Sequence, residues 1–425
     1  MKKIYIIRLI ISSIIGIAAI LAFCGKFYPV KFMNIQFTAL LQRIIIDFSI
    51  PAIILFFVLI IFTVLFGRLY CSIICPLGIL QEFLALLRGK KANTPHINYG
   101  FKYILSAITF GALIGGSTIL IRYIEPYTMF GSAFSITILG LVFTFTILAI
   151  VYYKNRFFCT NICPVGAILG LIAKYSINKI YIDKENCVSC GMCAKACPSG
   201  CINHKEKTVD NEICIKCFKC ISICRKNSIK YGFLKEKVDF NPSRRQVLRT
   251  IGAIAFLSAG YAAGVKFTKK ITNKIKSIIL PPGAISADRF VNKCLNCNLC
   301  VQNCTNNIIQ KADKNFEVVH IDYIKGKKHC KFNCNKCSEV CPSGAIKKID
   351  KKEKQNTRIA MATVISEKCQ KCGICSYSCP KEAIIYEDNN TAYVDKTKCI
   401  GCGLCKASCP HDAIEIFAIK EQEKI

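Results

Sequence analysis

One short cysteine pattern occurs six times between residues 187 and 409 of this 425-residue chain. The pattern is C-x-x-C-x-x-C-x-x-x-C, and one copy is stretched by one residue. Its cysteines are Cys187, Cys190, Cys193 and Cys197; Cys214, Cys217, Cys220 and Cys224; Cys294, Cys297, Cys300 and Cys304; Cys330, Cys334, Cys337 and Cys341 (the stretched copy); Cys369, Cys372, Cys375 and Cys379; and Cys399, Cys402, Cys405 and Cys409. Such runs bind cubic [4Fe–4S] clusters, and the fourth cysteine reaches the neighbouring cluster of a two-cluster unit. We therefore predict six [4Fe–4S] clusters.

Other uses of cysteine fit this pattern less well. Disulfide bonds require Cα atoms about 4.4–6.8 Å apart, and chains this rich in disulfides are normally short. Structural zinc sites use C-x-x-C pairs separated by longer gaps. Of the 30 cysteines, two lie outside every motif. We interpret Cys24 as an apolar packing residue and Cys201 as a bystander beside the first cluster.

The charge of the chain is strongly basic, with a formal net charge of +32. Six oxidised clusters with their thiolates contribute roughly −12, which leaves the holoprotein near +20. The lysines are scattered around the cluster loops and the apolar segments. This distribution fits a solvated surface and an anionic inner leaflet better than a nucleic-acid site. We predict that the protein binds to a membrane and to redox partner proteins, and that it binds no nucleic acid.

Four apolar segments indicate a membrane domain in the first half of the chain. They cover residues 6–23, 49–66, 103–121 and 136–153. Each approaches the roughly 20 residues that a bilayer core requires. The first resembles a signal sequence but is followed by no small-residue cleavage site, so we predict that it is an anchor. Haem is not expected, because no His lies in these segments and no C-x-x-C-H run occurs.

Basic residues near these segments indicate their orientation. They are Lys2, Lys3 and Arg8 at the N-terminus, Arg88, Lys90 and Lys91 after the second segment, and Lys154 and Arg156 after the fourth. Because positive residues are retained on the cytoplasmic side, the N-terminus, the 67–102 loop and the region after residue 153 are predicted to be cytoplasmic.

An internal repeat adds a second cysteine motif. Residues 68–78 read RLYCSIICPLG, and residues 156–166 read RFFCTNICPVG. Two helical hairpins related by an axis along the membrane normal would produce such a repeat. That axis would bring together Cys71, Cys75, Cys159 and Cys163. These thiols could bind a further cluster, bind a soft metal such as copper, cycle as disulfides, or have a structural role.

The second half of the chain contains the cluster runs and one more apolar stretch. Ser243, Arg244 and Arg245 precede a weakly apolar segment that ends near Val265. This pattern is typical of a twin-arginine export signal; the alternative is a fifth membrane helix with an incidental arginine pair. Both interpretations place residues 270–425 outside the cytoplasm, although the lysines that follow Val265 oppose this orientation. The last four runs could pair in sequence or in a nested order.

The predicted fold is a membrane α-helical protein of about five transmembrane helices with α+β bacterial-type two-cluster ferredoxin modules. Four domains are expected. They are a four-helix membrane domain at 1–180, a two-cluster ferredoxin at 181–240, a twin-arginine-like segment and fifth helix at 241–280, and a four-cluster ferredoxin at 281–425.

The paired C-x-x-x-C-P motifs and the two-cluster module resemble NapH, the membrane ferredoxin subunit of quinol-oxidising modules that feed periplasmic nitrate reductase. The regulators NosR and CcoG share this design. Residues 240–425 resemble NapG and its relative MauM, which are twin-arginine-exported ferredoxins with four clusters. In this chain the two parts are fused, so any signal peptide would remain as an anchor. By this resemblance, the C-x-x-x-C-P membrane motif of the family corresponds to Cys71, Cys75, Cys159 and Cys163.

The resemblance implies electron transfer from the quinol pool to a periplasmic acceptor, such as a reductase or a cytochrome. We predict a multi-pass protein of the cytoplasmic membrane, with the N-terminus and residues 181–240 inside and residues 270–425 outside. It could be a quinol dehydrogenase component or an electron carrier with no substrate site of its own. The other alternative is a maturation or regulatory protein whose membrane cysteines reduce a metal or hand it over to another enzyme.

Overall fold

The computed structural model describes residues 2–23, 35–88, 98–134, 138–233, 244–275, 277–312, 318–323, 328–386 and 391–425. The chain divides into two compact units, the first formed by Met1–Gly115 with Ile119–Gly264 and the second by Gly116–Thr118 with Val265–Ile425. Both the predicted helical domain and the first ferredoxin module lie in the first unit. Cys24, Lys90, Lys91 and Ser243 lie outside the described residues.

The helical part of the first unit begins with a long apolar helix. Its helices are α1 Lys2–Phe23, α2 Phe37–Asp47, α3 Ile50–Phe66, α4 Tyr70–Ile73, α5 Pro76–Arg88, α6 Tyr99–Ile114, α7 Ile119–Ile124, α8 Pro126–Phe134, α9 Ile138–Lys154, α10 Phe157–Asn161 and α11 Pro164–Lys174. In each copy of the repeat, a short helix precedes a longer one that starts at a proline. Proline suits the first helical position because the N–H that it lacks would have no partner there.

Three of the predicted membrane spans form helices of 16 or 17 residues. Among the described residues, Lys3–Phe23 is the one helix that its 21-residue length and apolar composition would allow to cross a membrane. The five predicted spans are therefore not supported by length and composition. Helix α3 has 17 residues and α6 has 16. The predicted span 103–121 breaks because Gly116, just after α6, adopts φ = +84°, a left-handed conformation that ends helices.

The first ferredoxin module follows α11 directly. Its strand β1, Asn178–Ile182, pairs antiparallel with β4, Ile229–Phe233, and a two-residue hairpin pairs β2 with β3. The remaining elements are α12 Met192–Ala196, β2 Ile202–Asn203, β3 Thr208–Val209 and α13 Lys219–Ile223. The core between them contains isoleucines and the cysteines of two runs. With such short strands, this module depends on what its cysteines bind.

A 32-residue helix, α14 (Arg244–Ile275), follows this module. Its buried glycines Gly260 and Gly264 pack on the backbone of α6. A Cβ at Gly260 would lie 2.4 Å from the carbonyl oxygen of Ile108, and one at Gly264 would lie 2.5 Å from that of Ala112. This small-xxx-small packing lets helix backbones approach closely, as is common between membrane helices.

We expect Gly260→Ala to separate α14 from α6, because a backbone oxygen occupies the place of the new methyl group. Gly252→Ala is the matched control in the same helix, since a Cβ there would meet nothing within 4 Å. Alanine is about 1 kcal/mol better than glycine in a helix interior, so the control should be neutral or stabilising. Thermal unfolding of the detergent-solubilised variants measures this. Equal melting temperatures for both variants would contradict the packing.

The second unit contains the remaining cluster runs in short elements. They are α15 Ala287–Lys293, α16 Leu299–Gln302, β5 Ile309–Gln310, β6 His320–Ile321, α17 Lys336–Glu339, α18 Lys351–Gln355, β7 Thr357–Val364, α19 Ile374–Tyr377, β8 Ile384–Ile385, β9 Tyr393–Val394, α20 Leu404–Ser408 and β10 Ile414–Lys424. The long strands β7 and β10 pair antiparallel, with an irregularity between Ala418 and Glu423. Residues 116–118 pack with this unit, where the Thr118 hydroxyl donates to the carbonyl of Cys294 at 3.2 Å.

Candidate iron–sulfur centres and the paired cysteine motif

The two copies of the internal repeat contact each other through exchanged arginines. Arg68 Nη2 donates to the carbonyl oxygen of Cys159 at 3.4 Å. Arg156 Nη1 donates to the carbonyl oxygen of Cys71 at 3.3 Å. The first residue of each copy therefore binds the first cysteine of the other. The repeat predicted two related segments, but it did not predict this exchange, although an arginine opens both copies.

A glycine near the end of each copy permits this close packing. A Cβ at Gly78 would lie 2.3 Å from the carbonyl oxygen of Cys71, and one at Gly166 would lie 2.7 Å from that of Cys159. Real Cβ atoms do not approach a backbone oxygen this closely, and backbone cannot move aside as a side-chain tip can. The glycine shared by both copies is thus required by packing.

The four cysteines of the repeat form one buried group. Cys71, Cys75, Cys159 and Cys163 are all buried, and Cys75 interacts electrostatically with the other three. The thiol of Cys159 donates to Gln81 Oε1 at 3.2 Å. Thiols are the ligand type of soft metals and clusters and can exchange disulfides, but the described residues do not arrange these four around a single metal position.

An ion-pair network fixes the helix that follows the first motif copy. Glu82 of α5 accepts hydrogen bonds from Arg8 of α1 and, at 3.3 Å, from Arg156. Arg8 also donates to the carbonyl oxygen of Ser72 at 3.2 Å. The charge of Arg156 is thereby offset by a carboxylate, which keeps the cost of burying it small.

Polar side chains also lie close to the buried cysteines. The Tyr70 hydroxyl donates to Gln36 Oε1 at 2.7 Å. The buried carboxylate of Glu125 accepts from Thr38 Oγ1 at 3.0 Å, and it interacts electrostatically with Cys163. We name Gln36, Thr38, Tyr70 and Glu125 the polar group beside the motif.

Two cysteine runs share one cavity in the first ferredoxin module. The cavity is lined by Cys197 from one run and by Cys214, Cys217 and Cys220 from the next. This is the ligand exchange expected of a two-cluster unit. Cys187, Cys193 and Cys224 pack against the same core, and Cys190 is exposed.

Cys201 contributes a fifth thiol to that cavity. Its Sγ lies 3.4 Å from the Sγ of Cys197, and it also hydrogen-bonds Cys214. The hydrogen bond from Cys201 holds the pKa of Cys197 and of Cys214 below the ordinary thiol value. The interpretation of Cys201 as a bystander is therefore wrong. A comparison of the runs could have found it, because the equivalent residues of three other runs are Ala345, Ala383 and Ala413.

Replacing Cys201 by alanine, the residue of those three runs, should lower the reduction potential of one cluster. Hydrogen bonds to ligand sulfur stabilise the more negative, reduced state. Cys201→Ser, which keeps a donor, should retain most of the potential. A redox titration followed by electron paramagnetic resonance measures both variants. An unchanged potential in Cys201→Ala would show that the thiol donates nothing to the cluster ligands.

In the second unit the runs pair in sequence. Three cavities are lined, respectively, by Cys294, Cys297, Cys300 and Cys341; by Cys379, Cys399, Cys402 and Cys405; and by Cys369, Cys372, Cys375 and Cys409. Cys337 interacts electrostatically with Cys330 and Cys334 of its own run and with Cys304 of the run before it. Of the two orders that the sequence left open, the structure thus has the sequential one.

These cysteine groups follow one another along the second unit. Cys300, which shares a cavity with Cys294, interacts electrostatically with Cys337 of the next run. The backbone N–H of Cys330, in the same run as Cys337, donates to the carbonyl oxygen of Cys402 in the last run at 2.8 Å. Neighbouring redox groups in such a succession can pass an electron along the unit.

Buried lysines beside the cysteines indicate that these sites carry negative charge. Lys216 is fully buried and interacts electrostatically with Cys214. Lys354 is also buried and hydrogen-bonds Cys330. A buried ammonium group needs an anionic partner, and a cluster with four thiolates supplies one. Within the described ranges, no group of three or more His, Cys, Asp or Glu is arranged to hold a single metal ion.

Family models match three parts of the chain. A model described as a 4Fe-4S binding domain matches residues 48–95, which include the first repeat copy. Two models described as 4Fe-4S dicluster domains match residues 362–416, and residues 157–201 with 329–383. These matches confirm the prediction that the chain binds [4Fe–4S] clusters, and they leave the predicted number of six as a prediction.

Several curated proteins are similar to the chain. An uncharacterized protein of Methanocaldococcus jannaschii, MJ0749, is 28% identical over 199 residues, which cover 47% of this chain and 76% of that protein. The ferredoxin-type protein MauN of Paracoccus denitrificans is 28% identical over 31% of the chain and 48% of its own length. The ferredoxin-type protein NapH of Haemophilus influenzae is 28% identical over 32% of the chain and 50% of its own length. The chain thus spans about half the length of MauN and NapH, and it is similar to these ferredoxin-type proteins.

Proposed function

We propose that the chain is a membrane-bound electron-transfer protein that carries electrons from the quinol pool through six [4Fe–4S] clusters to an exoplasmic acceptor. The observations that carry the proposal are the cysteine-lined cavities, one described in the first unit and three in the second, and the buried group of four more cysteines in the first unit. All-thiolate sites of this kind exchange single electrons. The protein sets their potentials through burial and hydrogen bonds to sulfur.

The ligands of the six clusters follow from the cavities and from the exchange of the fourth cysteine. In the first ferredoxin module, one cluster would bind Cys187, Cys190, Cys193 and Cys224, and the other would bind Cys197, Cys214, Cys217 and Cys220. In the second unit the sets would be Cys294, Cys297, Cys300 and Cys341; Cys304, Cys330, Cys334 and Cys337; Cys369, Cys372, Cys375 and Cys409; and Cys379, Cys399, Cys402 and Cys405.

Exposed apolar faces support a multi-pass membrane protein. Large apolar side chains are exposed on four helices: Ile14 of α1 by 62%, Phe57 of α3 by 60%, Phe145 of α9 by 67% and Ile254 of α14 by 59%. Contiguous apolar surface of this extent is rare on soluble monomers. Helices of 17 residues stand at the lower limit of those that span a bilayer, so α3 and α9 fit a thin hydrocarbon core.

The proposed topology places the N-terminus and residues 181–240 in the cytoplasm and residues 270–425 outside, as in a fusion of NapH-like and NapG-like parts. We expect Arg244→Lys with Arg245→Lys to block export of the second ferredoxin region, because lysine lacks the planar guanidinium fork. Protease added to intact spheroplasts should release that region from the wild type and spare it in the variant. Protection of both regions in the wild type would contradict the topology.

The proposed identities of the electron donor and the electron acceptor are based on the resemblance to NapH and on the side chains at the site. Quinol oxidation gives two electrons and two protons. The polar group beside the motif offers hydrogen-bonding side chains for a quinol next to the buried cysteines. A relative in Escherichia coli, YccM, is named a putative electron transport protein and is 27% identical over 172 residues, which supports an electron-transfer role.

Steady-state oxidation of a soluble quinol by the anaerobically purified protein, with an artificial electron acceptor, tests this function. Bleaching of cluster absorbance on quinol addition, followed by reoxidation on acceptor addition, is the expected result. If quinol reduces no cluster but the protein reduces or transfers Cu²⁺, the maturation role would replace the proposed one. If neither occurs and dithionite alone reduces the clusters, the protein is a passive carrier.

A further inference from the structure

Arg68 connects the buried cysteine group to the first ferredoxin module. Its guanidinium lies 3.9 Å from Cys71 Sγ and 3.4 Å from the carbonyl oxygen of Cys159. On its other side it donates to the carbonyl oxygens of Glu212 at 3.1 Å and Ile213 at 3.4 Å. The Ile213 carbonyl belongs to the peptide bond that leads into Cys214. One side chain therefore touches both cysteine sites.

The charge of Arg68 is buried without a carboxylate. The side chain is fully buried, and its Nε has no hydrogen-bond partner in the described part of the chain. Its contacts are carbonyl oxygens and the sulfur of Cys71. A buried charge is costly unless an opposite charge lies nearby. The anionic groups that fit are thiolates, or clusters bound by them, on the two sides of the guanidinium.

Arg156 shows that this arrangement is specific to one copy of the repeat. It occupies the equivalent position and binds the carbonyl oxygen of Cys71. Its charge, however, is paired with Glu82 at 3.3 Å. The described residues therefore hold two arginines in related places, one paired with a carboxylate and one whose hydrogen bonds go to backbone carbonyls and to Cys71.

Further contacts secure Arg68 and the backbone that it binds. The buried ammonium of Lys102 forms an ion pair with Glu212 at 3.5 Å, which fixes the residue whose carbonyl Arg68 binds. A Cβ at Gly67 would lie 2.4 Å from Cε of Lys216, so the residue before Arg68 packs directly on the lysine beside Cys214. Arg68 and Lys216 thus both lie close to the cavity that Cys214 lines.

We propose that Arg68 couples the C-x-x-x-C-P cysteine site to the cluster bound by Cys197, Cys214, Cys217 and Cys220, and that this cluster is the entry point of electrons into the ferredoxin module. The inference rests on the proposed function. The paired cysteines would hold the donor, a soft metal or a cluster that quinol reduces, and Cys197, Cys214, Cys217 and Cys220 would hold the cluster that accepts one electron from it. No bond forms or breaks, and Arg68 stays protonated. Its charge stabilises the added electron on either site.

The test compares Arg68→Gln with the control Lys230→Gln, which removes the partly exposed cation of the ion pair with Asp183 in the same module. Redox titration with dithionite, followed by electron paramagnetic resonance, should show one cluster of Arg68→Gln that is at least tenfold harder to reduce, equivalent to 59 mV for one electron. Reduction of the clusters by quinol should slow more than tenfold. Lys230→Gln should change neither quantity to this extent.

Arg68→Lys keeps the proposal testable if the glutamine variant does not fold. Lysine keeps the charge but cannot reach both sites with a planar fork, so the potentials should stay near the wild type while quinol reduction slows. Wild-type potentials and rates in both Arg68 variants would overturn the inference. If quinol fails to reduce even the wild type while the potential still shifts in Arg68→Gln, the proposed function fails and the electrostatic coupling stands.

Discussion

Removal of iron from the purified protein is expected to unfold the ferredoxin regions and to leave the apolar helices of the first unit folded. The core of the first module consists of isoleucines and cysteines of two runs, and the core around β7 and β10 contains Cys399, Cys405 and Cys409. Several of the strands have two residues. When ligands form the core, the free energy of metal binding is the free energy of folding.

Hydrogen exchange followed by mass spectrometry measures this effect. After chelation, amides of residues 181–233 and 287–425 should exchange faster by several orders of magnitude, while amides of α1, α3 and α6 retain their protection. The helices serve as the internal control, because they belong to the same molecules. Unchanged protection in the ferredoxin regions after complete loss of iron would contradict the role of clusters in holding them together.

Cys71→Ser and Cys159→Ser are each expected to slow the reduction of the clusters by quinol at least a hundredfold. The buried group that contains these two cysteines would lose a thiolate ligand or a redox thiol, while the ferredoxin ligands stay intact. Dithionite, which can act directly on the ferredoxin modules, should still reduce all clusters. The iron content of the six runs should be unchanged.

Cys24→Ser, which changes a cysteine outside every motif, is the control for handling and oxidation. Wild-type quinol reduction in both Cys71→Ser and Cys159→Ser would show that electrons do not pass the paired motif. A loss of iron from the ferredoxin modules in these variants would instead show that the motif is structural. Iron content and reduction rate together therefore separate the two roles of the motif.

The cysteine chemistry could be predicted from spacing, because cluster ligands must lie on tight loops at fixed intervals. The repeat likewise predicted a relation between residues 68–78 and 156–166. Contacts across the fold could not be predicted in this way. The exchange of Arg68 and Arg156 depends on how the two copies pack, and the sequential pairing of the last four runs depends on the order of the modules.

The lengths of the apolar helices were predicted less well for a local reason. Hydropathy alone extends a span from residue 103 to residue 121, but the positive φ of Gly116 ends the regular structure after α6. Likewise Cys201 attracted no functional interpretation, because a single cysteine has no spacing pattern. A comparison of the runs singles it out, since three other runs have alanine there, and the folded module then shows its 3.4 Å contact with Cys197.

The central claim is that the 24 cysteines of the six runs bind six cubic clusters. Iron and acid-labile sulfide in anaerobically purified protein, measured against amino-acid analysis, test it most directly. The account predicts about 24 iron and about 24 sulfide per chain from these runs, with four of each per cluster. Any iron above this amount would belong to the paired motif. An iron content near one third of that value, or stoichiometric zinc, would contradict it.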